Sequence, residues 1–201
     1  AGFIVSPDTR IPPMTMRLFA AVVPPASVLD ALEVFVEPRR YADSDLRWVG
    51  RENWHLTLAF FGDVGDDRLE PLTGALDAVS GQPFRIVLDG AGAFPNPAAG
   101  RVLFHAVTDG SAELSALGRR VRTAADRVGV PSDNAKHRPH LTLARRRRPG
   151  ELSRWLRVVD SFPPTSFEVT SFQLVRSELR PSGAHYSVLE TLALGRRPDS
   201  E

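Results

Sequence analysis

The sequence predicts an α+β fold built on an internally duplicated plan, and three observations lead there. Short apolar runs of strand character alternate with stretches whose apolar residues recur at helical spacing, in the order strand, helix, strands, helix, strands, helix, strands. Several strand candidates are joined by Gly/Pro-rich turns, which favours mixed or antiparallel sheets. The tetrapeptide His-Leu-Thr-Leu occurs twice, beginning at His55 and at His140, 85 residues apart, and each copy follows a helix-containing segment. No detailed repeat extends beyond these motifs, so the expected symmetry is structural.

Arg17–Val23 reads as a strand ended by Pro24-Pro25, and Ser27–Val36 as a helix with a wide apolar stripe. Arg47–Val49 is a short extended segment. Asn53–Phe61 is the first motif strand, stopped by Gly62-Asp63. Leu69, Leu72, Leu76 and Val79 place a second helix over Asp66–Val79. Phe84–Leu88 and Arg101–Val107 read as strands joined by the hairpin loop GAGAFPNPAAG. Leu114, Leu117, Val121 and Ala125 share one face of a third helix over Ser111–Val128. The second motif strand follows Pro139, and Ser153–Val159 forms a short helix or turn. Phe167–Leu179 and Tyr186–Leu194 are two closing strands. Residues 1–15 read as a flexible leader, with Met14 or Met16 nearer the natural start, 16–194 as one bilobal domain, and 195–201 as a frayed tail.

Composition narrows the function classes. At 201 residues, 42% hydrophobic and 24% charged, the chain matches an ordinary globular domain, and no apolar run approaches the roughly 20 residues of a membrane-spanning helix. The first residues lack a basic stretch followed by an apolar run, unlike a signal peptide. Cysteine is absent, which excludes disulfides, a thiol nucleophile and cysteine-ligated zinc and fits a cytoplasmic location. Residues 1–100 carry a net charge of −5 and residues 101–201 one of +6. All the basic residues but Lys136 are arginines, the side chain suited to bidentate phosphate recognition, although genome composition can produce the same bias. Within the run Arg145–Arg148, the last three are expected on a solvated face or turn.

The motifs carry the chemistry. In a strand, residues i and i+2 share a face, so His55 and Thr57 point one way while Leu56 and Leu58 enter a core. The same holds for His140 and Thr142. A lone histidine is most often structural, but two in identical contexts, among five in the chain, favour function. Imidazole both accepts and donates protons near neutral pH, so a pair can act as base and acid in one displacement. Threonine hydroxyls and backbone amides can hold anionic oxygens, although threonine is also simply strand-forming. Zinc sites usually need three protein ligands, and the motifs offer two histidines with no nearby carboxylate, so metal hydrolysis is weakly supported. His105, His137 and His185 are expected in packing or surface roles. Trp48, Trp54, Phe60 and Phe61 are expected in the core. Phe19 could stack on a base at the cleft, with core packing the leading alternative.

The segments RLFAAVVPP (17–25), RWVGRENWHLTLAFFGDV (47–64), GAFPNPAAGRVLF (92–104), RPHLTLAR (138–145) and FQLVRSELRPSGAHYSVLETLAL (172–194) resemble the 2H phosphoesterase superfamily. Within it the chain is similar to the RNA 2′,3′-cyclic phosphodiesterases, also called 2′-5′ RNA ligases. The resemblance runs from Arg17 to Leu194. It implies two pseudo-symmetric lobes, each an antiparallel sheet with helices packed outside, around a central cleft carrying one motif per lobe. It implies hydrolysis of a ribose 2′,3′-cyclic phosphate to a 2′-phosphomonoester, with no metal or cofactor. His55 would be the proton donor to the 3′ oxygen and His140 the proton acceptor from water. Thr57, Thr142 and Arg145, where the second motif continues as His-x-Thr-x-x-Arg, would hold phosphate oxygens. The family can also join RNA ends through a 2′-5′ linkage, a reverse-type reaction in which the two histidines exchange roles. The expected partner is an RNA end or nucleotide bearing a 2′,3′-cyclic phosphate, bound by a monomer without membrane contact. Two other readings remain open: a non-catalytic RNA or nucleotide binder using the same cleft, and a phosphodiesterase for a small cyclic nucleotide.

Overall fold

Nine antiparallel strands form one sheet, in the order β7-β4-β5-β6-β3-β1-β8-β9, with β2 adding to β6. The computed structural model describes residues 14–133 and 138–195. Along the chain the strands are β1 (Thr15–Val22), β2 (Leu46–Trp48), β3 (Leu56–Gly65), β4 (Phe84–Phe94), β5 (Gly100–Asp109), β6 (His140–Gly150), β7 (Thr165–Val169), β8 (Ser171–Arg180) and β9 (Gly183–Ala193). The helices are α1 (Ala26–Val36), α2 (Asp66–Asp77), α3 (Ser111–Arg127) and α4 (Ser153–Asp160).

The sheet divides into two lobes, β3-β1-β8-β9 and β6-β5-β4-β7, joined where β3 meets β6. At that seam the register is Leu56↔Leu141, so each motif pairs with the other at the leucine after its histidine. An approximate twofold axis therefore passes between the motifs. Unit β1-α1-β3-α2 corresponds to unit β5-α3-β6-α4, and the units are interlaced. Helix α3 leaves the second lobe to pack on β3, and α1 leaves the first to pack on β7. The expected α+β fold with two antiparallel lobes is thus observed, with both lobes sharing one sheet.

Burial explains the elements. Val28, Leu29, Leu32 and Val36 form the inward stripe of α1, and Leu114, Leu117, Val121 and Ala125 that of α3. Gly110 ahead of α3 has φ +74°, and a Cβ there would lie 2.3 Å from the Arg85 carbonyl oxygen, so a side chain is excluded. Leu56, Leu58, Leu141 and Leu143 all enter one apolar core with Leu18, Ile86 and Leu174.

Several expected boundaries shift. β3 does not stop at Gly62-Asp63: Gly62 takes φ +66° and the strand continues to Gly65, paired to Thr15. Residues 90–94 of the anticipated loop extend β4, because the backbone from Ala91 to Phe94 pairs with β5. Of the arginines expected on a solvated face or turn, Arg147 and Arg148 are exposed, but they lie on β6, which continues to Gly150, and Arg146 is half-buried against Asp45. The predicted strand Phe167–Leu179 divides into β7, which pairs with β4, and β8, which pairs with β1. Residues 1–13 and 196–201, covering most of the expected leader and tail, lie outside the described residues, as does His137.

Candidate active site

Each motif strand carries an extra residue immediately after its threonine, and that residue shapes the site. Opposite β1, the register steps from Ala20↔Ala59 to Ala21↔Thr57, leaving Leu58 without a ladder partner. Opposite β5, it steps from Leu103↔Ala144 to Phe104↔Thr142, leaving Leu143 without one. Both are β-bulges. The freed carbonyls are satisfied from outside the ladder: Arg122 of α3 donates to Leu58 O (2.8 Å), and Val49 N donates to Leu143 O (2.8 Å). Each bulge also inverts the alternation. Leu58 and Ala59 are both buried, as are Leu143 and Ala144. The cleft face therefore collects His55, Thr57 and Phe60 from β3 and its approach, and His140, Thr142 and Arg145 from β6. Phe60 and Arg145 are equivalent under the pseudo-twofold.

These six side chains, with Val49, Asn53 and Tyr186, line one cavity of about 170 Å³. The structure thus brings His55, Thr57, His140, Thr142 and Arg145 together. A larger groove of about 620 Å³ lies between α2 and α3, and its lining holds no histidine or carboxylate for acid–base work. Among the described residues, no three His, Asp or Glu side chains cluster as a metal site would require.

The histidines are held alike. His55 Nδ1 donates to the Asn53 carbonyl (2.7 Å), and His140 Nδ1 donates to the Arg138 carbonyl (2.6 Å). A carbonyl only accepts, so each Nδ1 carries hydrogen, and Nε2 is the exchanging nitrogen. At His55, Nε2 stands 3.1 Å from Thr57 Oγ1. Asn53 also donates through Nδ2 to Ala184 O (3.0 Å), tying the approach of β3 to the β8–β9 hairpin. Aromatic rings back both imidazoles: Phe19 and Tyr186 at 4.9 and 5.4 Å from His55, and Phe94 and Phe104 at 5.0 and 5.1 Å from His140. Burial pushes the His55 pKa down to about 4; the charges of Arg145 and His140 add to this, and the Asn53 hydrogen bond opposes it.

The remaining candidates sit elsewhere. Phe19 is 3% exposed and packs against His55, Phe60 and Tyr186; it lines a small neighbouring pocket of about 50 Å³ beside His55 and not the motif cavity itself. His105 is fully buried; its Nδ1 donates to Gly90 O (2.6 Å) and burial lowers its pKa. His185 is exposed, opposite Glu178 in the β8–β9 register. Trp54 and Phe61 are core, as expected, whereas Phe60 is 43% exposed and faces the cavity. Phe60, Tyr186, Asn53 and Val49 were not anticipated at the site. The signal for Phe60 was present: it follows His55 by the five positions that separate Arg145 from His140.

The family model of the 2′-5′ RNA ligase superfamily matches residues 26–181. An RNA 2′,3′-cyclic phosphodiesterase of Archaeoglobus fulgidus is 35% identical over 178 residues, 87% of this chain and 98% of the relative. One from Thermus thermophilus is 35% identical over 191 residues, 89% and 90% of the two chains. The crystal structure of Escherichia coli LigT complexed with 3′-AMP superposes with a TM-score of 0.74 at 27% identity, over 91% of this chain and all (100%) of that one.

Proposed function

This chain belongs to the 2′-5′ RNA ligase superfamily and is a hydrolase of the 2′,3′-cyclic phosphodiesterase kind, and on that premise we propose that it opens terminal 2′,3′-cyclic phosphates of RNA by two-histidine acid–base catalysis without a metal. The observation that carries the reading is the convergence of His55, Thr57, His140, Thr142 and Arg145 on one cavity from two pseudo-symmetric strands. Water attacks phosphorus while His140 Nε2 takes its proton. The bond from phosphorus to the 3′ oxygen breaks as His55 Nε2 delivers a proton to that oxygen, leaving a 2′-phosphomonoester. Arg145 and the two threonine hydroxyls hold the non-bridging oxygens as charge builds on them. A 5′-hydroxyl of a second RNA, replacing water, would yield a 2′-5′ linkage by the same displacement.

His55 is neutral at pH 7 in the unliganded site, yet the mechanism needs it charged. The anionic phosphate resolves this. Seated against Nε2, it offsets the burial that disfavours imidazolium and raises the proton affinity of His55 when substrate arrives.

An oligonucleotide ending in 2′,3′-cyclic phosphate, incubated with the protein in EDTA, should give the 2′-phosphate product. His55→Ala or His140→Ala should each lower kcat by about 10²–10⁴. Absence of product throughout the neutral range, or undiminished turnover by either variant, contradicts the proposal.

A further inference from the structure

The cavity is smaller than the roughly 300–1,000 Å³ of pockets that enclose a whole small ligand. At about 170 Å³ it can seat the cyclic-phosphate end and leaves the rest of the substrate on the open surface beside it. What that surface offers is visible along β2 and β6. The register pairs Arg47 directly with Arg145, both exposed, so their side chains leave the sheet on one face. That face is the cleft face, because Trp48 and Arg146 on either side turn the other way: Trp48 packs on Trp155 of α4 (5.4 Å) and Arg146 bridges to Asp45 (3.2 Å). Arg147, two residues further along β6, is also exposed.

Like charges directly opposite each other in a sheet are unfavourable. Among the described residues neither Arg47 nor Arg145 forms an ion pair, although Arg40, Arg51, Arg68, Arg146, Arg176 and Arg180 all do. Among the described residues Arg147 lacks an acidic partner as well. Three exposed guanidinium groups without an acidic partner among the described residues thus stand at the phosphate end of the cavity, Arg47 beside Arg145 on the neighbouring strand and Arg147 two residues, roughly 6.7 Å, further along β6, a separation that suits neighbouring phosphates of an extended single strand.

We propose that Arg47 and Arg147 bind the backbone phosphates of the RNA leading to the cyclic end, so that an oligonucleotide terminus is preferred to a free cyclic mononucleotide; this rests on the function proposed above. Arg145 holds the reacting phosphate, and Arg47 and Arg147 extend its positive field along the chain that stays outside the cavity.

The test compares the wild type with the double variant Arg47→Gln/Arg147→Gln. Binding of a fluorescent single-stranded RNA ending in 2′-phosphate, which cannot turn over, is followed by anisotropy across a potassium chloride series. Turnover is measured on a cyclic-phosphate oligonucleotide and on a 2′,3′-cyclic mononucleotide. The variant should bind RNA roughly tenfold more weakly, with a salt slope smaller by about 0.7 per lost contact. It should lose oligonucleotide kcat/KM in proportion and keep mononucleotide kcat/KM. Its melting temperature should not fall, since like-charge repulsion has been removed. Equal RNA affinity and salt slope in the two proteins, or equal losses on both substrates, would overturn the strip. A wild type that turns over neither substrate would overturn the catalytic reading alone, because anisotropy still decides the strip.

Discussion

His55 shows how one residue couples stability to chemistry. Its environment holds the imidazole neutral, with a pKa of about 4 against an unperturbed 6.5. In the kinetics, kcat/KM reports the free enzyme and kcat the complex. The limb that His55→Ala removes should therefore lie near pH 4 in kcat/KM and move to higher pH in kcat. Superimposable profiles would mean that the phosphate does not recharge His55. In folding, the unfolded chain takes up a proton near pH 6.5 that native His55 accepts only near 4. Stability is then fully present above about 6.5 and falls as the pH drops toward 4. Buried His105, shifted in the same direction, adds to the loss. Urea unfolding at pH 7 and pH 4.5 should show a decrease on the order of 1–3 kcal/mol, smaller in His55→Ala; equal stability at both pH values would contradict the shifts. The paired histidines were legible in the sequence because identical contexts are rare. Their tautomers were not, since the Asn53 and Arg138 carbonyls that set them are fixed by the backbone path into each strand.

At the level of elements, the bulges decide which side chains reach the cleft. Simple alternation from His140 and Thr142 would send Ala144 to the cleft and Arg145 to the core; the extra residue at Leu143 reverses both. Leu58 does the same for Phe60. A bulge leaves a buried carbonyl off the ladder, and Arg122 serves the one at Leu58. Arg122→Met should therefore destabilise the fold by about 1–3 kcal/mol, the cost of an unpaired buried carbonyl. It should also lower activity at temperatures where the protein remains folded, because Thr57 adjoins the loosened Leu58 and Phe60 lies two residues beyond it. Thermal melting together with kcat at 25 °C checks this; unchanged values in both would show that the bulge holds itself. Strand limits were the least legible part of the elements. Gly62 and the 91–94 stretch look like turns locally, yet their backbones are paired by β1 and β5.

In the whole molecule, the two lobes are interlaced instead of juxtaposed. Helix α3 crosses from one lobe to pack on the motif strand of the other, and buried residues of both lobes belong to one core. The protein is therefore expected to unfold as a single unit over 16–194, with loss of far-ultraviolet signal, of tryptophan fluorescence and of activity coinciding in one transition. Two resolved transitions would mean that the lobes fold independently. Leu141→Ala at the seam, fully buried opposite Leu56, should lower that transition by about 2–5 kcal/mol without splitting it. The sequence by itself determined the α+β class, the duplicated motif, the inward leucines and the shared face of each motif's histidine and threonine. These follow from local periodicity and from residue chemistry, which need no knowledge of neighbours. Tertiary structure alone decided that the motifs meet at Leu56 and Leu141, that Phe60 and Tyr186 face the cavity while Phe19 does not, and that Arg47 stands beside Arg145. Each of those is a matter of register between strands distant in the chain, and register is set by packing across the sheet.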